Sequence, residues 1–176
     1  MRKVPKHMLI ELPTADEIDG IAITSPKFEV RQLSIEMGDE KANLDYTPCK
    51  GQMIVVIRGE GGISLVRKRG ANDWTLPSDR IGPNEEIVKS VKRVGREQCG
   101  LMLKSIELAG MYDVVWHYSN VSIKRLHFVY VGETDDRECS PQKTADVEEA
   151  RFFRDLPDKV RKDRICSCAL TDSSAK

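Results

Sequence analysis

The 176-residue sequence predicts an α/β fold, a layered sandwich built on a mixed β-sheet. Two observations support this prediction. Segments in which apolar and polar residues alternate, typical of half-buried strands, lie on both sides of one segment with helical periodicity. A second helical segment follows the last short strand, so the order is strands, helix, strands, helix. That order is typical of helices packed on a sheet.

Composition limits the classes of function. Lysine and arginine number 28, aspartate and glutamate 28, and hydrophobic residues make up 40% of the chain. This balance is typical of one globular domain with a sizeable core, and it disfavours a nucleic-acid partner. No apolar run reaches the roughly 18 residues that cross a membrane, so we expect no membrane partner and a cytoplasmic location. The five cysteines lack CxxC spacing, which favours reduced thiols over a zinc site.

The first 50 residues predict a β-rich extension. MLIEL (8–12) and FEVRQLSIEM (28–37) alternate with period two and predict two strands. These strands either add to the main sheet or bridge two subunits. The main domain is predicted over residues 51–170. It opens with GQMIVVIR and GISLVRKR, a hairpin around a Gly-Glu-Gly turn.

The second half of the domain predicts further strands and a closing helix. Residues 105–116 and 122–133 are β-rich and predict a strand pair, and residues 135–149 predict a long polar loop. We expect a short strand over residues 150–157, a last helix over 158–170 and a disordered tail over 171–176.

A central helix is predicted between Gly82 and Leu101. Pro83 at the first helical position, or Asn84 as the cap, would begin it, and Gly100 would end it. The residues expected to form its buried stripe are Ile87, Val88, Val91 and Val94. A second face carries a ladder of alternating charge, composed of Glu85, Lys89, Arg93 and Glu97. Glycine within a helix costs about 1 kcal/mol relative to alanine, so Gly95 predicts a close backbone approach by a neighbouring element.

The stretch from Trp74 to Leu101 resembles the box of the Nudix hydrolases, G-x5-E-x7-R-E-U-x-E-E-x-G-U, where U is a bulky aliphatic residue. Its register depends on Trp74, Leu76, Pro77, Glu85, Arg93, Glu97, Gly100 and Leu101. The box is degenerate over residues 79–101. Ser78 and Asp79 replace the usual Gly-Gly, Val94 replaces the first helix glutamate, Gly95 the aliphatic residue, and Gln98 the last glutamate.

The resemblance implies an α/β/α sandwich with a mixed sheet and a hydrolase using Mg²⁺ or Mn²⁺. Its substrate would be a nucleoside diphosphate linked to another moiety, and a homodimer is plausible. By this resemblance Glu97 would be a catalytic residue and metal ligand, and Arg93 would orient it. Gln98 and Glu148 would be further ligands, and Glu149 a base.

The substitutions change what this site can hold. Valine offers no ligand atom and glutamine only a neutral oxygen, so the charge of the cluster falls from about −3 to −1 and cation attraction falls with it. Metal binding should then be weak unless Glu148, Glu149 or Asp79 compensates. Val94 also fits the apolar stripe. The alternative function is a catalytically inactive Nudix-like domain that binds a nucleotide or a protein partner. Trp74 would then stack on a base, and Arg67 and Arg80 would hold phosphates.

Overall fold

The computed structural model describes residues 9–11, 30–42, 51–160 and 169–170. In chain order the elements are β1 (Leu9–Glu11), β2 (Val30–Glu36), β3 (Gly51–Gly59), β4 (Gly62–Lys68), β5 (Ser78–Ile81), α1 (Ile87–Val94) with its π-helical continuation (Gly95–Cys99), β6 (Ser105–His117), β7 (Ser122–Glu133) and β8 (Val147–Phe153). Residues 169–170 are also helical.

The strands form one mixed sheet with the order β2-β6-β7-β3-β4-β8. The pairs β2–β6 and β3–β7 are parallel, whereas β6–β7, β3–β4 and β4–β8 are antiparallel. Two further strands join this path, since β1 pairs in parallel with β7 and β5 pairs antiparallel with β3. The predicted mixed sheet is confirmed.

Strands from the N-terminal extension belong to this same sheet. β2 pairs with β6 from Val30 opposite Met111 to Glu36 opposite His117, and β1 pairs with β7. Of the two roles open to these strands, addition to the sheet is the one observed. The remainder of the first 50 residues, apart from 37–42, lies outside the described residues, as do residues 171–176, for which a disordered tail was predicted.

The predicted hairpin between β3 and β4 is confirmed. Gly59 pairs with Gly62, leaving two residues in the turn. Gly62 has a φ of 113°, and a Cβ atom added there would lie 2.1 Å from the carbonyl oxygen of Phe153. Both the backbone conformation and the close approach of β8 therefore require glycine at this position.

Alternation along β3 divides the core into two clusters. Met53, Val55 and Ile57 belong to the first cluster, which also contains the buried apolar residues of α1. Ile54 and Val56 belong to the second cluster on the opposite face, where Ala169 is fully buried. Helical residues therefore pack on both faces of the sheet, which confirms the α/β/α sandwich.

The structure differs from the sequence analysis at three local points. Residues 78–81, where no strand was predicted, form β5 because they pair with β3 at Gly51–Ile54. The helix begins at Ile87 rather than at Pro83 or Asn84, because a turn closed by the Glu85 N–H and the Gly82 carbonyl (3.1 Å) precedes it. The strand predicted from residue 150 begins at Val147, so the end of the expected loop is strand.

The buried stripe of α1 also differs by one residue from the expected one. Ile87, Val91 and Val94 are buried, but Val88 is 49% exposed and Ser90 is fully buried in its place. Of the helix predicted over residues 158–170, residues 158–160 form a turn and an isolated bridge. Residues 161–168 lie outside the described part of the chain, and 169–170 are helical.

The helix that carries the Nudix-like box, α1 with its π-helical continuation, is called the box helix below. Its C-terminal end was predicted correctly. Gly100 has a φ of 67°, its N–H donates to the Arg96 carbonyl, and the Leu101 N–H donates to the Gly95 carbonyl. The first of these bonds is that of the αL capping motif, which needs a left-handed residue after the helix. A Cβ on Gly95 would lie 3.2 Å from Cγ of Leu103, so a side chain rather than a backbone makes the closest approach there.

Candidate functional site

Arg93 is the centre of a charged cluster between β5 and α1. Its Nε donates to Oε1 of Glu85 at 2.8 Å, and Nη1 donates to Oδ2 of Asp79 at 2.9 Å. A longer bond of 3.4 Å joins Nη1 to Oε2 of Glu97, and Nη2 donates to the Arg80 carbonyl at 3.3 Å. One guanidinium group thus holds the retained acids of the box together with Asp79.

The distances in this cluster revise the predicted charge ladder. Arg93 contacts Glu85 and Glu97, but Lys89 pairs with Glu86 at 3.3 Å. Glu85 lies in the turn before the helix, where its Oε2 also accepts the Gly82 N–H at 3.2 Å. Arg93 is therefore bound more closely to Glu85 and Asp79 than to Glu97, the residue that it was expected to orient.

Partial burial strengthens these contacts. The side chains of Arg93 and Glu85 are 24% and 25% exposed. Desolvation opposes the charged form of Glu85, but hydrogen bonds from Arg93 and the Gly82 N–H lower its pKa below the usual value. The hydrogen bond to Glu85 raises the pKa of Arg93, so both groups are ionised at neutral pH.

Gln98 faces the backbone of β5. Its Nε2 donates to the Ser78 carbonyl at 2.8 Å, and the residue is 7% exposed. Since only the NH₂ group can donate to a carbonyl, this contact determines the orientation of the amide. The other amide atom, Oε1, is buried without a protein hydrogen-bond partner. Where the family's box has a carboxylate, this chain has a hydrogen-bond donor.

Val94 occupies the remaining box position and is fully buried. It belongs to the first core cluster, together with Val91 of the same helix and Val55 of β3. Burial of a valine side chain stabilises a fold by about 1.5–3 kcal/mol. This position therefore contributes to packing between the helix and the sheet.

A second charged cluster lies on β4 and β8. Nη1 of Arg67 donates to Oε2 of Glu148 at 2.8 Å, and Nη2 donates to Oε2 of Glu149 at 3.2 Å. Arg151 also pairs with Glu149. The guanidinium carbons of Arg67 and Arg151 lie 5.9 and 6.0 Å from the ring centroid of Trp74. Four predicted residues, Arg67, Trp74, Glu148 and Glu149, are thus brought together with Arg151.

The two charged clusters lie on opposite faces of the sheet. Val94 packs in the first core cluster, whereas Trp74 packs against the second. Arg67 is paired in register with Glu149, and Glu148 is the extra residue of a bulge beside it. Glu148 and Glu149, predicted as a further ligand and a base, both bind Arg67. Strand alternation places Arg80 on the face opposite Asp79, the same face as Trp74.

Arg151 was not among the predicted site residues. The sequence did indicate that Arg151 lies on the same face as Glu149, because Glu149, Arg151 and Phe153 alternate along one strand. Phe153 also contacts Trp74 edge to face, with ring centroids 4.9 Å apart. The local pattern did not identify the strand across the sheet, so the contact with Trp74 was missed.

Comparison with known proteins agrees with this fold. The family model described as NUDIX domain matches residues 48–162. This chain belongs to the Nudix family. A search of the curated proteins found no match. No helix among the described residues is long and apolar enough to span a membrane.

Solved structures show the same fold at low sequence identity. A mutant of a Bacillus subtilis pyrophosphohydrolase is 16% identical, with a TM-score of 0.57 over 78% of this chain and 88% of that one. A MutT Nudix hydrolase from Burkholderia pseudomallei is 21% identical, with a TM-score of 0.54 over 69% and 95%. The Nudix domain of NrtR from Shewanella oneidensis, solved with ADP-ribose, is 15% identical, with a TM-score of 0.55 over 91% and 99%.

Members of this family typically use a divalent metal, and the box residues of this chain do not fit one. Mg²⁺ requires several hard oxygen ligands in octahedral geometry. Here Val94 has no ligand atom, the Gln98 amide donates to Ser78, and Glu97 and Asp79 both contact the positive charge of Arg93. In the described ranges, no three His, Cys, Asp or Glu residues are grouped to hold a metal ion.

Proposed function

We propose that this Nudix chain binds a nucleotide-type small molecule and that its box helix is a structural element rather than a metal-dependent catalytic one. The observation that supports this most directly is the contact of Gln98, whose amide donates to the Ser78 carbonyl where the box of the family has a glutamate. Val94, which replaces the other missing glutamate, is buried in the core and has no ligand atom. Glu97, the acid that remains, also contacts Arg93.

The ligand is proposed to bind the face that carries Arg67, Trp74 and Arg80. Indole rings stack on bases, and guanidinium groups bind phosphates through paired hydrogen bonds. The proximity of Arg67 and Arg151 to the Trp74 ring supports this assignment. The ADP-ribose complex of the NrtR Nudix domain also favours a nucleotide-type ligand.

A hydrolase acting on a nucleoside diphosphate linked to another moiety is the second candidate. One observation favours it, since Glu97 is 37% exposed and is the acid held least closely by Arg93. In that reading Glu97 and Arg93 act at the reacting phosphate, with Mg²⁺ or Mn²⁺ held by Glu97 and compensating oxygens. The chain would then carry an altered version of the family's site. The cytoplasmic location and the homodimer remain predictions.

A panel of dinucleotides, nucleotide sugars and nucleoside triphosphates separates the two candidates. Calorimetry measures binding with and without 5–10 mM Mg²⁺, and product analysis of phosphate-containing compounds measures turnover. We expect binding without turnover, and an affinity that falls at least about tenfold in Arg67→Ala and in Trp74→Leu. Arg137→Ala is the matched control, because Arg137 is an exposed arginine paired with Glu60.

Two results would contradict the proposal. Turnover that disappears in a folded Glu97→Gln variant would establish the hydrolase instead. A stabilisation by Mg²⁺ that disappears in the same variant would show that the box still binds a cation, because a ligand specific for the folded state raises the Tm.

A further inference from the structure

Two cysteines from different segments share the hydroxyl group of one serine. Ser64 of β4 donates from Oγ to Sγ of Cys99 at 3.4 Å, and the same Oγ lies 3.5 Å from Sγ of Cys139. Cys99 is the last residue of the π-helical segment, and Cys139 lies in the long loop between β7 and β8. Both are free thiols.

Backbone contacts hold this loop against the end of the box helix. The Ser140 N–H donates to the Cys99 carbonyl at 2.8 Å, and the Gln142 N–H donates to the Glu97 carbonyl at 2.8 Å. A Cβ on Gly100 would lie 2.0 Å from the Ser140 carbonyl oxygen, so glycine allows the loop to pass closely. Disulfides join residues with Cα atoms about 4.4–6.8 Å apart, and hydrogen-bonded backbone segments lie near that range.

The two thiols differ in access to solvent. Cys99 is fully buried, whereas Cys139 is only partly buried. Burial raises the pKa of both thiols, that of Cys99 to about 12, and the hydrogen bond from Ser64 acts in the opposite direction. A dissolved disulfide therefore reaches Cys139 first, and Cys99 is the thiol placed to react second.

We propose that Cys99 and Cys139 form a reversible disulfide, by exchange with a small-molecule disulfide, that locks the long loop onto the end of the box helix. The Cys139 thiolate attacks one sulfur of the oxidant and releases one small thiol. Cys99 then loses its proton and attacks the Cys139 sulfur of the mixed disulfide, releasing the second small thiol. Two protein thiols are oxidised and one small disulfide is reduced to two thiols.

Peptide mapping identifies the disulfide that forms. The full-length reduced protein is incubated with oxidised glutathione, quenched with N-ethylmaleimide, digested and analysed by mass spectrometry. We expect a peptide linking Cys99 to Cys139, formed about tenfold faster for each pH unit between 7 and 8.5, because the thiolate is the attacking species. The oxidised protein should melt roughly 5–15 °C higher, and dithiothreitol should reverse the change.

Cys139→Ser is the matched control. It retains a hydrogen-bonding group beside Ser64 and should lose both the linked peptide and the rise in Tm. The mapping on the unaltered chain does not depend on any variant folding. Glutathione attached to Cys139 without the Cys99–Cys139 peptide, or linkage only to Cys49, Cys166 or Cys168, would overturn the proposal. So would a linked peptide with an unchanged Tm, because the loop would then not be locked.

Discussion

The two charged clusters use the same chemistry in different surroundings. The first, here called the box cluster, is the group of Asp79, Glu85 and Glu97 around Arg93. It lies between a strand and a helix, and the Arg93 side chain is 24% exposed. In the β4–β8 cluster Arg67 is similarly exposed, at 26%, but Glu148 is 54% and Arg151 64% exposed. Removing one partner of an ion pair costs more stability the less its members are exposed, and fully exposed pairs contribute little. The box cluster should therefore stabilise the fold, and the β4–β8 cluster should be able to exchange its partners for a ligand.

The largest expected effect comes from restoring the box acid at the first helix position. Val94→Glu should lower the free energy of unfolding by about 4 kcal/mol or more, because the carboxylate would be buried in the first core cluster without a partner. Urea unfolding measures the change. Val88→Glu, at an exposed position of the same helix, should change it by less than about 0.5 kcal/mol. A folded Val94→Glu with gained hydrolysis would show that this position still faces an active site.

The second prediction compares the two arginines directly. Arg93→Met should lower the free energy of unfolding by about 2–3 kcal/mol, since three acids lose their shared partner. The same substitution at Arg67 should lower it by much less, because exposed ion pairs contribute little to stability. Equal effects in urea unfolding would remove the distinction between a structural cluster and an exchangeable one.

Substitution of Gln98 tests whether this position, where the family's box has its last glutamate, needs a hydrogen-bond donor. Gln98→Glu should lower the free energy of unfolding by about 2 kcal/mol, because a buried carboxylate would face the Ser78 carbonyl. Gln142→Glu makes the same change on an exposed side chain and should alter stability by less than about 0.5 kcal/mol. If the midpoint of urea unfolding is unchanged in Gln98→Glu, the position beside the Ser78 carbonyl accepts a carboxylate.

The smallest effect concerns the pH dependence of Glu85. Its pKa is lowered in the folded state, so the stability from its ionisation is present above its unfolded pKa of about 4.3 and is lost as the pH falls through the lower folded pKa. Glu85→Gln should be about 1 kcal/mol less stable than the parent at pH 7, with the difference shrinking below pH 4. Glu86→Gln, at an exposed ion pair, should show little difference at either pH. A difference that persists at pH 3 would exclude this electrostatic origin.

Much of the fold followed from local patterns. The two β-rich segments that begin at Gly51 and Gly62, separated by Gly-Glu-Gly, predicted the β3–β4 hairpin, and Gly100 predicted the end of the helix. Both signals act over a few residues, where backbone conformation and side-chain direction are set by near neighbours. Strand β5 was missed because its four residues carry no strong alternation and are ordered by pairing with β3.

The sequence predicted which residues form the candidate site, but not which residues they contact. The box register correctly named Arg93, Glu97 and Gln98 as neighbours on one helix, since spacing along a helix determines which side chains lie close together. It could not assign partners across the sheet. Glu148 and Glu149 were predicted as a ligand and a base from the box alone, and their contact with Arg67 follows from the pairing of β8 with β4.

Apart from β5, the order of the main strands and the central helix followed from the sequence alone, as did the family of this protein, because hydrophobic periodicity and the spacing of box residues are local properties of the chain. Only the tertiary structure decided what the altered box does. Asp79 reaches Arg93 because β5 pairs with β3, and Gln98 meets Ser78 for the same reason. These contacts join residues 14 and 20 positions apart, so they depend on how the strand and helix pack together.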